Sequence, residues 1–191
     1  MIGSHNSATY LKEKSWWMTI LRPWTRCQSK TLREQYYSGI RYFDFRIKVS
    51  DVEIGYKATI CHNNVLYEKS LFEALCEIDH NDVYIRLILD YRKEPEDAKR
   101  KSELFESIIN FIHDRYKLKV DSAITFWNWK EYIPSSFNIQ EEHYSVDASH
   151  WYEWILGPFL FNKLKEKTYK KHFEELQNKE IKHIILLKDF V

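Results

Sequence analysis

The 191-residue sequence has no apolar run long enough to cross a membrane. Its longest, such as Ile184-Ile185-Leu186-Leu187, are strand-sized, well short of the roughly 20 residues a spanning helix needs. It has no excess of one charge either: Lys and Arg number 29 against 28 for Asp and Glu, so no global basic field exists to draw nucleic acid as a main partner. Cysteine is scarce. Cys27, Cys61 and Cys76 are odd in number and lack metal-ligand spacing, which argues against a cysteine metal site and fits a reducing compartment or simply no disulfide framework. No glycine-rich phosphate loop follows any strand-like run, which counts against a nucleotide-binding doubly wound sheet. No signal-type leader is visible. A cytoplasmic protein is therefore favoured, unless the opening Met1-Ile2-Gly3-Ser4-His5-Asn6-Ser7, which reads as the end of a first core element, has been trimmed from a longer chain.

What is there is a chain sized for one domain, residues 1–191, with a real core. Aromatics make up 16%, with seven Trp and thirteen Tyr; they suit a large core, a wide apolar cleft or a membrane-facing surface. Short β-rich runs at 41–47, 58–62, 83–90, 122–127 and 183–191 alternate with helical patterns. Ser29 to Ser38 carries N-cap residues and ends at Gly39; Ser70 to Ile78 has Leu71, Phe72, Leu75 and Ile78 on one stripe. Pro95 opens a long helix to about Tyr116, with Leu104, Phe105, Ile108, Ile109 and Ile112 facing inward. A further helical region, Trp151 to Gln177, is broken near Gly157-Pro158. Strands alternating with helices predict a mostly parallel α/β sheet. Because 191 residues is tight for eight strands, the expected form is a small and irregular (β/α)8 TIM-type barrel, with its polar residues at one face.

Two histidines stand at strand ends: His5 in the polar run Gly3 to Tyr10, and His62 closing Ala58-Thr59-Ile60-Cys61-His62. Such a pair can divide proton transfers, one deprotonating a nucleophilic hydroxyl and the other protonating a leaving oxygen. In Arg41 to Arg46 the period-2 alternation puts Tyr42, Asp44 and Arg46 on one face and Phe43 and Phe45 on the other. An inward Arg beside an inward Asp is either a structural ion pair or a guanidinium held ready for phosphate. Asp90 and Asp189 each follow an aliphatic run and could cap a helix, ligate a metal or orient a histidine.

Gly3-Ser4-His5-Asn6-Ser7, then Gln35, then Gly39-Ile40-Arg41-Tyr42-Phe43-Asp44-Phe45-Arg46, then His62 resemble, in the same order, the X-region of phosphatidylinositol-specific phospholipases C. The resemblance covers about the first 90 residues well, and Ile184 to Phe190 is similar to the family's last strand; 117–182 aligns poorly. It implies that His5 is the general base toward an inositol 2-hydroxyl, oriented by Asp189, that His62 is the general acid, and that Arg46, beside Asp44, balances phosphoryl charge. Asn6 stands where bacterial members have Asp and calcium-using members Asn, and Asp90 where these have Lys and Glu. Asn6, Asp44 and Asp90 thus keep three oxygen positions of the calcium pattern, while Arg46 takes the fourth. The metal-free reading is preferred, with Ca as the alternative cofactor. Gln140-Glu141-Glu142-His143-Tyr144 resembles the inositol-contacting stretch, making Glu141 and Tyr144 substrate-binding candidates; the alternative there is a polar surface loop. Asn63-Asn64 replaces the usual glycine after the second histidine.

The implied partner is a phospholipid or inositol phosphodiester. Trp16-Trp17-Met18 and Trp24, with Lys12, Lys14, Arg22 and Arg26, and also Trp151 to Trp154, suit peripheral membrane contact, or else the tryptophans pack on the barrel. Rival readings are a glycerophosphodiester phosphodiesterase-like or sphingomyelinase D-like enzyme and a catalytically weak inositol-lipid binding module. Oligomeric state is left open.

Overall fold

A computed structural model describes residues 2–53, 55–78, 82–91, 95–126, 140–143 and 184–188. The elements are β1 (Ile2–Ser4), a 3-10 helix (Trp16–Leu21), α1 (Arg22–Thr25), α2 (Leu32–Tyr37), β2 (Tyr42–Asp51), β3 (Tyr56–His62), β4 (Val65–Ser70), α3 (Leu71–Leu75), β5 (Tyr84–Tyr91), α4 (Ala98–Tyr116), β6 (Lys119–Phe126), β7 (Gln140–His143) and β8 (Ile184–Lys188). The helical region expected at Trp151 to Gln177 lies outside the described residues.

Local chemistry accounts for the helix boundaries. Thr31 and Glu34 close a reciprocal capping box at the start of α2, and Ser70 and Glu73 do the same for α3. In each, two of the amide donors that a helix start leaves orphaned find acceptors. Past the end of α2, Gly39 takes a φ of 95°, a left-handed conformation that costs glycine little. Helix α4 starts three residues after Pro95, and Phe105, Ile108 and Ile112 form its buried stripe, with Leu104 and Ile109 packed at its margin.

Six strands run parallel in the order β7-β8-β1-β2-β5-β6. The alternating pattern thus gave the right class, a parallel α/β sheet. Among the described residues no pairing joins β6 to β7, so there the sheet is an open arc rather than an eight-strand closed barrel. The run at 58–62 departs from expectation in another way. It is not a parallel member: β3 runs antiparallel to β2 and pairs with β4 as a hairpin. A two-residue turn between His62 and Val65 leaves no room for a crossover helix. Asn63 takes a φ of 55° in that turn, supplying the left-handed residue for which asparagine is a tolerated substitute for glycine.

The faces of the sheet divide by composition. Phe43, Phe45 and Ile47 of β2 and Ile85, Leu87 and Leu89 of β5 belong to the main apolar core, together with Phe105, Ile108 and Ile112 of α4, which packs on β2, β5 and β6. The alternate residues Asp44, Arg46, Arg86, Ile88, Asp90, Asp121 and Ala123 face the other way, and of these only Arg46 is more than marginally exposed.

Candidate active site

Strands β1 and β3 lie along the same edge of β2. β1 leaves that edge at Phe43 and β3 joins it at Ile47, while β5 occupies the opposite edge from Tyr42 to Ile47. The gap between them is where the chain leaving β1 and the end of β3 meet. It brings His5, Asn6 and His62 together although 57 positions separate the two histidines. The side-chain nitrogen Nδ2 of Asn6 lies 3.1 Å from His5 Nε2 and 3.4 Å from His62 Nε2. It also lies 3.5 Å from Cys27 Sγ.

The two histidines are held differently. Nδ1 of His62 lies 2.8 Å from the carbonyl oxygen of Thr25; a carbonyl only accepts, so Nδ1 carries a proton and Nε2 is turned toward Asn6. His5 Nε2 lies 3.9 Å from Asp44 Oδ2, and the His5 carbonyl accepts a 3.0 Å bond from Gln28 Nε2. Asn6 has a φ of 44°, a turn conformation open to asparagine, and its backbone N–H donates to Asp44 Oδ2 at 3.0 Å.

The motif's hydroxyls and amides form the scaffold. Ser7 Oγ accepts from the Asp44 N–H at 2.8 Å, and the Ser7 N–H donates to the Asp44 carbonyl at 2.8 Å, so the β1 loop is stitched to β2 on both sides. Gln35 of α2 accepts from Ser4 Oγ at 2.6 Å and donates to the Ser7 carbonyl at 2.8 Å. Thr9 Oγ1 donates to the Asn6 carbonyl and accepts the N–H groups of Cys27 and Gln28. Fully satisfied buried networks of this kind fix one geometry.

Asp44, read from the sequence as the neighbour of Arg46, has other company. Arg46 reaches across to Asp90 on β5, with Nη1 3.5 Å from Oδ2, while Asp44 Oδ1 lies 4.0 Å from Nε of Arg86. Register accounts for both: Arg86 stands directly opposite Asp44, closer than the roughly 6.5 Å of rise that separates residues two apart on one strand, and the long Arg46 side chain reaches the diagonal neighbour Asp90, two beyond its register partner Ile88. Burial raises the Asp90 carboxyl above the ordinary range, against the opposing pull of Arg46 and Lys48. Among the described residues, buried Asn6 Oδ1, beside the two imidazoles, and Arg46 Nε, beside Asp90, have no hydrogen-bond partner. An unmet buried polar atom costs about 1–3 kcal/mol, and a ligand offering both an acceptor and a donor would offset that cost.

Of the site residues read from the sequence, His5, Asn6, Asp44 and His62 are joined by contacts, and Arg46 and Asp90 pair with each other on the same face of the sheet as Asp44. Asp189 and Tyr144 lie outside the described residues. For Glu141 only the backbone is described: it sits in β7, beside β8, so 140–143 is a strand and not a surface loop. The sequence reading missed Thr9, Cys27, Gln28, Arg86 and Asp121. Arg86 carried a signal, being the one cation within Tyr84 to Leu89 and in phase with Asp90.

No family model and no curated protein matches the chain. Among solved structures it is similar to the phosphatidylinositol-specific phospholipase C from Listeria monocytogenes, at 14% identity, over 100% of this chain and 87% of that one, with a TM-score of 0.63. The fold is shared. A phosphatidylinositol-specific phospholipase C from Staphylococcus aureus matches at 18% identity over 66% of this chain and 47% of that one, with a TM-score of 0.44, too low to add to the comparison.

Proposed function

We propose that the chain is a phosphodiesterase of the phosphatidylinositol-specific phospholipase C type, cleaving phosphatidylinositol or a related inositol phosphodiester through a cyclic phosphate. The observation that carries the reading is the reach of two imidazole Nε2 atoms to one point, at 3.1 and 3.4 Å from Asn6 Nδ2. His5 takes the proton of the inositol 2-hydroxyl as its oxygen bonds to phosphorus. The bond from phosphorus to the lipid alcohol breaks, and His62 gives that oxygen its proton. The nucleophile belongs to the substrate, so much of the entropic barrier is already removed. Arg46 supplies charge to the phosphoryl oxygens with its forked donors. Asn6, Asp90 and, by resemblance, Glu141 and Tyr144 bind the headgroup, and Asp189 orients His5.

The calcium alternative fits the donor set poorly. Asp90 directs its carboxylate at Arg46, so a guanidinium sits among the oxygens that would have to surround a divalent ion. We place the positive charge on Arg46 and no metal in the site. On the 3-10 helix, Trp16 is 81% exposed, Trp17 47% and Ile20 64%; indole rings partition to a lipid interface, which supports peripheral membrane contact through this helix. Met18 of the same helix is buried and anchors it.

The deciding experiment is an assay of short-chain phosphatidylinositol with excess chelator and without it. Cleavage to a cyclic inositol phosphate in both conditions is expected. No cleavage at all would favour a binding module, and activity restored by calcium alone would return the site to the metal-using branch.

A further inference from the structure

Beneath the two histidines lies a row of buried charge. Asp44 of β2, Arg86 of β5 and Asp121 of β6 are in register across three adjacent strands, and they are 0%, 2% and 2% exposed. Asp121 is committed on its own side: Oδ1 accepts from the Ser122 N–H at 2.8 Å and Oδ2 from the Tyr42 hydroxyl at 3.4 Å. Asp44 presents its two oxygens in different directions. Oδ2 faces the site, accepting from the Asn6 N–H at 3.0 Å and standing 3.9 Å from His5 Nε2, whereas Oδ1 faces Arg86 Nε at 4.0 Å.

A carboxylate removed from water is favoured as the anion by a fixed positive charge and by hydrogen-bond donors. Of the other cations in phase on β2, Arg46 is paired with Asp90 and Lys48 lies further along the strand. We propose that Arg86 is a positioning residue of the site: its buried guanidinium holds Asp44 ionised and turned, so that Oδ2 fixes the Asn6 backbone and, through it, the amide that spans both histidines. Arg86 acts through Asp44. The inference rests on the catalytic reading only for its effect on turnover.

Its test therefore has two readouts. In Arg86→Met the Asn6 backbone amide should lose its downfield shift and its protection from hydrogen exchange by at least tenfold, because its acceptor is no longer held. Turnover of short-chain phosphatidylinositol should fall by about 10²-fold, the scale of a lost preorganised electrostatic contact, with KM changed less than threefold. Arg86→Lys, which keeps the charge, should recover most of the Asn6 protection. If Arg86→Met does not fold, the double variant Arg86→Met, Asp121→Asn removes one carboxylate with the cation and is read in the same two ways. Unchanged Asn6 protection in a folded Arg86→Met or double variant would overturn the proposal, as would a Lys variant no better protected than Met. The exchange readout needs no substrate, so it stands even if the chain cleaves no phosphoinositide; Asn6 protection lost in Arg86→Met while the wild type is itself inactive would support the positioning role of Arg86 and sink the catalytic reading instead.

Discussion

The two faces of β2 and β5 are made from alternate residues of the same strands and carry opposite chemistry. Toward α4 the side chains are Phe43, Phe45, Ile47, Ile85, Leu87 and Leu89, all fully buried in the main core. One residue over, facing the other way, are Asp44, Arg46, Arg86 and Asp90. The apolar face holds the sheet against its helix, and its contribution grows with buried area. The charged face gains little from burial, since the desolvation of each ion offsets most of its attraction to its partner. Stability and chemistry are thus separated by one position along a strand, and substitutions on the two faces should fail in different ways.

The largest effect is expected on the apolar side. Phe45→Ala should cost about 3–5 kcal/mol of unfolding free energy, through lost transfer energy and a residual cavity. Urea unfolding followed by far-UV circular dichroism measures it; a loss under 1 kcal/mol would mean the site collapses around the gap and the separation of roles is weaker than drawn.

On the other side the expectation reverses. His5→Ala and His62→Ala should each lower turnover by about 10² to 10⁴, the usual range for a general acid or base, with little change in the unfolding midpoint. Near-native cleavage in either variant would break the two-histidine mechanism. Arg46→Ala should cost about 10² to 10³ in rate and gain no response to calcium, as read from kcat with and without added ion. Rescue of that variant by calcium would show that the neighbouring oxygens hold a metal once the guanidinium is gone.

The smallest effect lies away from both faces, at the start of α3. Ser70→Ala should cost about 1 kcal/mol. The Ser70 N–H and hydroxyl donate to the Glu73 carboxylate at 2.6 and 2.7 Å, and these bonds, the backbone one first, hold its pKa below the ordinary value. A lowered folded pKa means stability that is present in full above the unfolded-chain value and lost as pH falls through the folded one. The gap in midpoint between wild type and Glu73→Gln should accordingly close on acidification. A gap that is constant with pH would remove the carboxylate from the account.

Some of this was legible without coordinates. Period-2 alternation in Tyr42 to Ile47 correctly divided inward Asp44 and Arg46 from outward Phe43 and Phe45, because strand geometry fixes side-chain direction from neighbour to neighbour. N-cap residues and Gly39 located α2, because orphaned amides and a left-handed turn are satisfied within a few positions, and an apolar stripe at helical spacing located α3. The two histidines were placed at strand ends by the apolar runs that stop beside them.

Partners distant in sequence were decided elsewhere. That Arg46 pairs with Asp90 while Asp44 faces Arg86 depends on the register of β2 against β5, and register is set by many long-range contacts at once. That His62 meets His5 depends on β1 and β3 sharing one edge of β2, with β3 turned antiparallel by a two-residue hairpin. The sequence by itself determined which residues could do chemistry and which way each points along its own strand, because those are properties of the local backbone. Which of them stand beside one another was determined only by the tertiary structure, because strand order and register are free energies of the whole sheet and not of any one segment.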